Sequence, residues 1–250
     1  MGVLPLRRDA TASAAMTRTA CGTLWLAVAG ITCGLTCSGA LWLPRSRTLV
    51  AGDLHLEKGS SRARRGELLP PYDTRHTLDR LDAELARLRP ETLVLLGDSF
   101  HDPRAVARLL PEDAPRVALL ARGRRLVWIE GNHDVRRGVS ALGGLPGEVA
   151  EAVEVEGLHL RHAPLPGLRP GEVAGHLHPA ARVAAAGRHV RRRAFVTDGE
   201  RLVLPAFGAY AGGLNVLDPA FAGLFARPPT AAMLGDDKVR PVPWTALLPG

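Results

Sequence analysis

Thr48-Leu-Val-Ala-Gly-Asp-Leu-His55 decides the fold of this 250-residue chain: an apolar run stops at glycine, and two polar side chains follow two positions apart. The same design recurs at Thr92-Leu-Val-Leu-Leu-Gly-Asp98, Leu126-Val-Trp-Ile-Glu-Gly-Asn132 and Glu172-Val-Ala-Gly-His176. Each run, rich in Val, Leu and Ile, reads as a buried strand that ends in a loop carrying Asp, Asn or His. Strands stacked in a sheet present such loops together along one edge, where open α/β folds build their sites. The glycines before the polar residues, Gly52, Gly97, Gly131 and Gly175, suit sharp turns and close approach of the backbone.

Helical segments separate the strands. Asp73 or Thr74 is placed to cap a helix whose Leu78, Leu81, Leu85 and Leu88 recur at spacings of three and four. Asp102-Pro103 predicts a helix through Ala105 to Leu110, and another spans about Ala114 to Arg122 and ends at Gly123. After Val135 strands dominate, at Val153 to Val155, Leu158 to Leu160, Val190 to Val196 and Arg201 to Leu204. This order predicts a single-domain α/β fold, a four-layer α/β/β/α sandwich whose two sheets both send loops to one site.

An apolar content of 46% is enough for a sizeable core and excludes disorder as the main state. The net charge of +7 suits a polyanionic partner, although Lys58 and Lys238 are the only lysines and a genome-wide arginine bias would give the same charge. Residues 1–21 read as a disordered extension, with Met16 a candidate start, and residues 22–250 as the domain. The uncharged stretch Cys21 to Leu43 follows Arg7, Arg8 and Arg18, so a signal peptide or membrane helix is one reading. Four glycines, with several Thr and Ser, dilute its apolar character, and a β-hairpin turning around Gly34 explains it better. Three cysteines, Cys21, Cys33 and Cys37, form neither a disulfide framework nor a zinc spacing, which predicts a reducing, cytoplasmic setting.

The polar residues at the strand ends form a set in chain order: Asp53-x-His55, Asp98, Asn132-His133-Asp134, His162, and His176-x-His178. Nitrogen and oxygen ligands without thiolate suit divalent manganese, iron or zinc. Two ions about 3.5–4 Å apart can share a water, lower its pKa and grip the attacking and leaving oxygens of a displacement at phosphorus. His159 and His162 lie on opposite faces of one strand, and His162 is chosen because it sits at the strand end. Taken singly, each fragment is more often a turn or a surface pair; their shared juncture and order point to a metal centre.

These blocks resemble the calcineurin-like metallophosphoesterases, whose pattern runs Asp-x-His, Gly-Asp, Gly-Asn-His-Asp/Glu, a lone His, then Gly-His-x-His. Within that superfamily the chain looks most like the bacterial DNA-ligase-associated metallophosphoesterases, implicated in the DNA damage response. The resemblance runs from about Ser38 to the C-terminal region, through Asp53-Leu-His-Leu-Glu-Lys-Gly59, Leu69-Pro-Pro-Tyr-Asp-Thr74, Gly97-Asp-Ser-Phe-His-Asp102, Gly175-His-Leu-His-Pro179, Pro205-Ala-Phe-Gly208 and Gly212-Gly-Leu-Asn-Val216. It implies that one ion takes Asp53, His55 and His178, the other Asn132, His162 and His176, with Asp98 bridging. A bridging hydroxide would attack phosphorus, His133 would protonate the leaving oxygen, and Asp134 would orient the His133 ring. His101 resembles a histidine that repair nucleases place near the scissile phosphate, or is a structural loop residue. Manganese is the expected metal, with zinc, iron or magnesium as alternatives, and an association with a DNA ligase or helicase repair system is implied.

Lys58, Arg62 and Arg65 follow the first block and Arg136 the third, placing them to grip a phosphate backbone. The expected activity is a two-metal phosphodiesterase acting as a DNA nuclease, with no membrane association. The alternatives are hydrolysis of nucleotides or other small phosphoesters, and a non-catalytic scaffold, which the complete ligand set disfavours.

Overall fold

The structure is a computed structural model describing residues 16–18, 22–67, 69–136, 139–140, 142, 144–185 and 187–250. The first sheet holds β1 (Thr17–Arg18), β2 (Leu24–Val28), β3 (Ile31–Leu35), β4 (Leu41–Leu43), β5 (Thr48–Ala51), β6 (Thr92–Leu96) and β7 (Arg125–Ile129) side by side. A small ribbon of β8 (Val135–Arg136) and β9 (Val139–Ser140) follows, and β10 (Glu148–Ala150) closes the sheet beside β7. β1 to β5 are antiparallel to their neighbours, whereas β5, β6, β7 and β10 run parallel. The continuous apolar runs arise because both faces of this sheet are covered. Val50, Val94, Leu96, Val127 and Ile129 face the second sheet, and Leu49, Ala51, Leu93, Leu95, Leu126 and Trp128 face the helices.

Helix α1 (Lys58–Ala63) is a short turn after the first polar loop, α2 (Asp73–Leu88) packs Leu78, Leu81 and Leu85 onto the sheet, and α3 (Ala114–Leu119) adds Val117. The capping expected of Asp73 or Thr74 is corrected: α2 starts after Tyr72 without a side-chain cap. Asp73 Oδ2 instead accepts from Gly59 N at 3.1 Å, and Thr74 Oγ1 accepts from Glu57 N and donates to Glu57 Oε1, both at 2.9 Å. Both side chains tie down the loop that carries His55. The helix expected after Asp102-Pro103 shrinks to one 3-10 turn, Val106–Arg108, because the Asp102 carboxylate draws in Arg104 N and the Arg108 guanidinium. α3 likewise stops at Leu119, and turns carry the chain to Gly123 at φ +70°.

The second sheet runs β11 (Ala152–Val155), β12 (Leu158–Arg161), β13 (Glu172–Ala174), β16 (Leu202–Val203), β15 (Arg188–Thr197), β17 (Thr230–Leu234) and β18 (Val239–Pro243), with β14 (Ala180–Ala185) paired to β15. Leu158, Leu160, Val173, Phe195 and Leu202 pack against the first sheet, completing a continuous inter-sheet core. The predicted layered α/β sandwich is present, but the outer face of this second sheet is covered by Val216, Leu217, Phe225, Trp244 and Leu247 from 3-10 turns and irregular chain. Sequence periodicity had not resolved β14, β17 or β18.

The N-terminal hairpin exists, but its turn lies at Ala29-Gly30, both at positive φ, and Gly34 sits inside β3 with the Trp25 ring 3.1 Å from where a Cβ would stand. From Leu24 to Leu43 the uncharged stretch is thus strands joined by turns, and among the described residues no helix is long and apolar enough to cross a membrane. Of the extension expected over residues 1–21, residues 1–15 and 19–21 lie outside the described residues, and Thr17–Arg18 pair with β2.

Candidate metal centre

Asp53 and His55 follow β5, Asp98 follows β6, Asn132 to Asp134 follow β7, His162 follows β12, and His176 and His178 follow β13. Parallel pairing brings the first three tips level: Asp53 N donates to Gly97 O at 3.0 Å and His55 N to Asp98 O at 2.9 Å. Gly175 N donates to His162 O at 2.8 Å, joining the tips of the second sheet in the same way. Of ten described non-glycine residues with positive φ, five are Asp53, His55, Asp98, His176 and His178. A left-handed side-chain-bearing residue costs about 1–2 kcal/mol, so this concentration marks a site held against local preference.

Among the described residues three groups of possible ligand atoms converge: His55 with His101 and His133, and the two clusters that hold the carboxylates. Asp53, His55 and His178 converge in one: His55 Nε2 and His178 Nε2 are 3.2 Å apart, and His178 Nε2 lies 3.1 Å from Asp53 Oδ1. Asp98, His162 and His176 form the other: His176 Nδ1 is 3.1 Å from His162 Nε2, which lies 3.0 Å from Asn132 Oδ1. Asp98 stands between them, with Oδ1 3.4 Å from His162 Nε2 and Oδ2 3.8 Å from His55 Nε2. His159, the competing histidine, is exposed beside Glu154, whereas His162 is buried and anchored through Nδ1 to Leu96 O at 3.2 Å.

The donor set fits divalent cations. Asp53 Oδ1 is buried and accepts no hydrogen bond of acceptable geometry, facing instead the ring nitrogens His178 Nε2 at 3.1 Å and His162 Nδ1 at 3.8 Å, an arrangement that is costly unless a cation satisfies it. Burial pushes His55 down to about 2, with the charges of His178 and His133 adding to it, and burial followed by His162 depresses His176. Both shifts favour the neutral ring, the form that ligates a metal. Three glycines are obligatory here: a Cβ would stand 2.3 Å from the His162 ring at Gly97, 2.2 Å from Asp98 Oδ1 at Gly131 and 2.5 Å from Asp53 Oδ2 at Gly175. Gly52, expected in the same role, has no such neighbour within 3.4 Å.

His133 lies beside this centre, its ring 5.0 Å from that of His55 and stacked 5.1 Å from His101. Its Nδ1 donates to His101 O at 2.9 Å, and its backbone N donates to Asp98 Oδ1 at 2.8 Å. The expectation that Asp134 orients the His133 ring is corrected. Asp134 is buried and its carboxylate accepts from Ser99 N, Phe100 N and Gly131 N, pinning the β6 and β7 loops together. Burial pushes its carboxyl up to about 7, aided by the nearby Asp98 charge and opposed by the three amide donors. Burial and His133 hold His101 down to about 4.

A cavity of about 390 Å³ adjoins the centre and is lined by Arg62, Arg65, His101, Asn132 and His133. Arg62 pairs with Glu67 at 2.7 Å, and half-buried Lys58, lowered by burial and by Arg62, lies close enough to depress His55 and His101. The Arg136 side chain lies outside the described residues. Sequence reasoning missed Glu57, left-handed at φ 65° and buried against Thr74, and Gly213, whose Cβ would stand 2.4 Å from His178 O. The Gly212-Gly213 pair was the available signal for the second.

Two twisted sheets meeting at a rim of Asp, Asn and His define a metal-dependent phosphoesterase. The sequence pattern of calcineurin-like phosphoesterases matches residues 46–200, and the chain belongs to that family, hydrolases of phosphoester bonds. The crystal structure of Pseudomonas putida nuclease MPE is similar at 30% identity and a TM-score of 0.67, covering 88% of this chain and 100% of that one. The phosphoesterase Yfce from E. coli aligns at 20% identity with a TM-score of 0.39, over 78% of this chain and 98% of that one, and adds nothing to the assignment. No curated protein sequence matches significantly.

Proposed function

We propose that the centre holds two divalent ions, one on Asp53, His55 and His178 and one on Asn132, His162 and His176, and that the protein is a DNA nuclease. The observation that carries the two-ion reading is Asp98, whose two carboxylate oxygens are divided between the clusters. When bound, the ions supply Lewis acidity, lowering the pKa of a water and neutralising phosphoryl charge. Because the His133 Nδ1–H donates to the His101 carbonyl, Nε2 is the nitrogen left for proton transfer; we assign the imidazolium form the role of acid, its Nε2–H passing to the leaving oxygen and leaving the neutral Nδ1–H ring. His101 contributes that carbonyl and a wall of the cavity; Lys58, Arg62 and Arg65 receive the phosphate chain.

Manganese is the proposed metal, since the ligand set is nitrogen and oxygen without thiolate. DNA as substrate is supported by the likeness to the Pseudomonas nuclease and by the arginines at the cavity. Action as an endonuclease in DNA damage response, with a ligase or helicase system, in the cytoplasm, belongs to the same proposal. A second reading, hydrolysis of a nucleotide-sized ester, is favoured by the modest cavity alone.

The test strips the protein of metal, adds back manganese, zinc or magnesium, and assays a chromogenic phosphodiester beside single- and double-stranded DNA. We expect metal-dependent hydrolysis of both the diester and DNA, with DNA affinity falling as salt rises. Diester turnover without DNA binding at low salt would transfer the assignment to the small-ester reading.

A further inference from the structure

We infer that a second anion site lies on the same rim as the metal centre, built from Arg80, Arg192 and Arg193, and that it takes a backbone phosphate of the substrate other than the scissile one; this rests on the nuclease reading. A cavity of about 370 Å³ is lined by these three arginines with Cys37, Ser38, Gly235 and Asp236. Among the described residues none of the three arginines forms an ion pair, although Arg47, Arg62, Arg75, Arg108 and Arg116 all do. Arg80 and Arg193 meet on one oxygen, the Phe207 carbonyl, and Arg193 Nη1 also reaches Ala206 O at 2.8 Å and Gly208 O at 3.3 Å.

Two guanidiniums are thus gathered on neutral acceptors, and the buried Arg80 Nε has no partner. Burial, followed by the Arg193 charge, pushes Arg80 down to about 10, and burial lowers Arg193. Three guanidiniums share the cavity with one carboxylate, Asp236, which forms an ion pair with none of them among the described residues; such an excess of positive charge is costly and favours an arriving anion. The local sequence agrees: between Glu172 and Asp198 there are five arginines and no acidic residue.

Topology places the cavity where a chain of phosphates could use it. Ser38 lies in the turn entering β4, and Leu41 at the start of β4 pairs with Val50 near the end of β5, so this turn sits at the edge carrying Asp53. Strands are spaced about 4.8 Å apart, which puts the turn between β3 and β4 roughly one to two strand spacings from the Asp53 loop. The stapled segment also backs the centre directly: Phe207 N donates to Gly52 O at 2.8 Å and Gly208 N to Asp53 O at 3.0 Å. A small phosphoester occupying the ions would leave this charge unused, whereas a polynucleotide presents further phosphates to it.

Arg192 is the clean probe, because it is exposed and, among the described residues, its side chain bonds only to Arg191 O, at 3.2 Å. Binding of a labelled DNA duplex to the metal-loaded protein is measured by anisotropy across salt, for wild type, Arg192→Gln, Arg192→Lys and Asp236→Asn. Thermal shifts with inorganic phosphate are measured in parallel. The account expects Arg192→Gln to weaken binding about ten-fold at low salt and to reduce the salt slope by about one, Arg192→Lys to restore most of both, and Asp236→Asn to tighten binding. Equal DNA affinity and slope in wild type and Arg192→Gln would overturn the backbone assignment. If wild type binds no DNA but its phosphate-dependent shift is lost in Arg192→Gln, the anion site stands and the nuclease reading falls; if neither DNA affinity nor the phosphate shift responds, the site itself is refuted.

Discussion

At the residue scale, the division of labour within Asn132-His133-Asp134 is the main outcome of the geometry. His133 contacts neither cluster as a ligand through Nδ1, which is engaged by His101 O, so His133→Asn should leave metal content intact while lowering turnover by about 10²–10⁴-fold. Metal analysis beside steady-state kinetics separates the two effects, and loss of metal in this variant would remove His133 from the role of acid. Asp134 acts through the backbone: it collects three buried N–H groups, and leaving such donors unmet costs about 1–3 kcal/mol each. Asp134→Ala should therefore lower the unfolding midpoint markedly, and Asp134→Asn, which keeps one acceptor oxygen, should lower it less. Equal stability of both variants with wild type, read by thermal denaturation, would contradict the pinning role. The ligand identities were legible in sequence because each block sits after an apolar run; the Asp134 role was not, since two of its three partners, the amides of Ser99 and Phe100, come near only through the parallel pairing of β6 and β7.

At the element scale, strands with unbroken runs of Val, Leu and Ile were the easiest to read, and those rich in alanine or proline, β14, β17 and β18, the hardest. β5, β6 and β7 carry unbroken apolar runs, and each was expected where it lies. β14 reads Ala-Ala-Arg-Val-Ala-Ala, a composition that favours helix as readily as strand; only its six-residue pairing with β15 fixes it. The α2 capping residues misled for a physical reason: Asp and Thr bond any nearby amide, and the Glu57 and Gly59 amides were closer to need than the helix's own. α2 itself depends on its leucine stripe, so Leu81→Ala should destabilise the fold by about 2–5 kcal/mol. Urea denaturation of the metal-free protein checks this, and a change below about 0.5 kcal/mol, the scale of an ordinary surface substitution, would mean that the stripe does not hold the helix to the sheet.

At the scale of the whole molecule, two sheets with different internal order converge on one rim, the first supplying Asp53, His55, Asp98 and Asn132 and the second His162, His176 and His178. Neither sheet alone assembles a complete shell, which ties the chemistry to the inter-sheet core and explains why the fold could be read from the ligand order. The net charge of +7 is spread along the chain, with four arginines on β15, and their partners could not be assigned from sequence because ion pairing depends on which acids the fold brings near. The central claim is that Asp98 joins two ions into one hydrolytic centre. The most direct measurement determines bound metal per chain and phosphodiester turnover together for wild type and Asp98→Asn, each reconstituted with manganese. The account predicts about two ions per wild-type chain, with fewer ions and no measurable turnover in the variant. Turnover that survives in Asp98→Asn, or in wild type held metal-free by chelator, would contradict it.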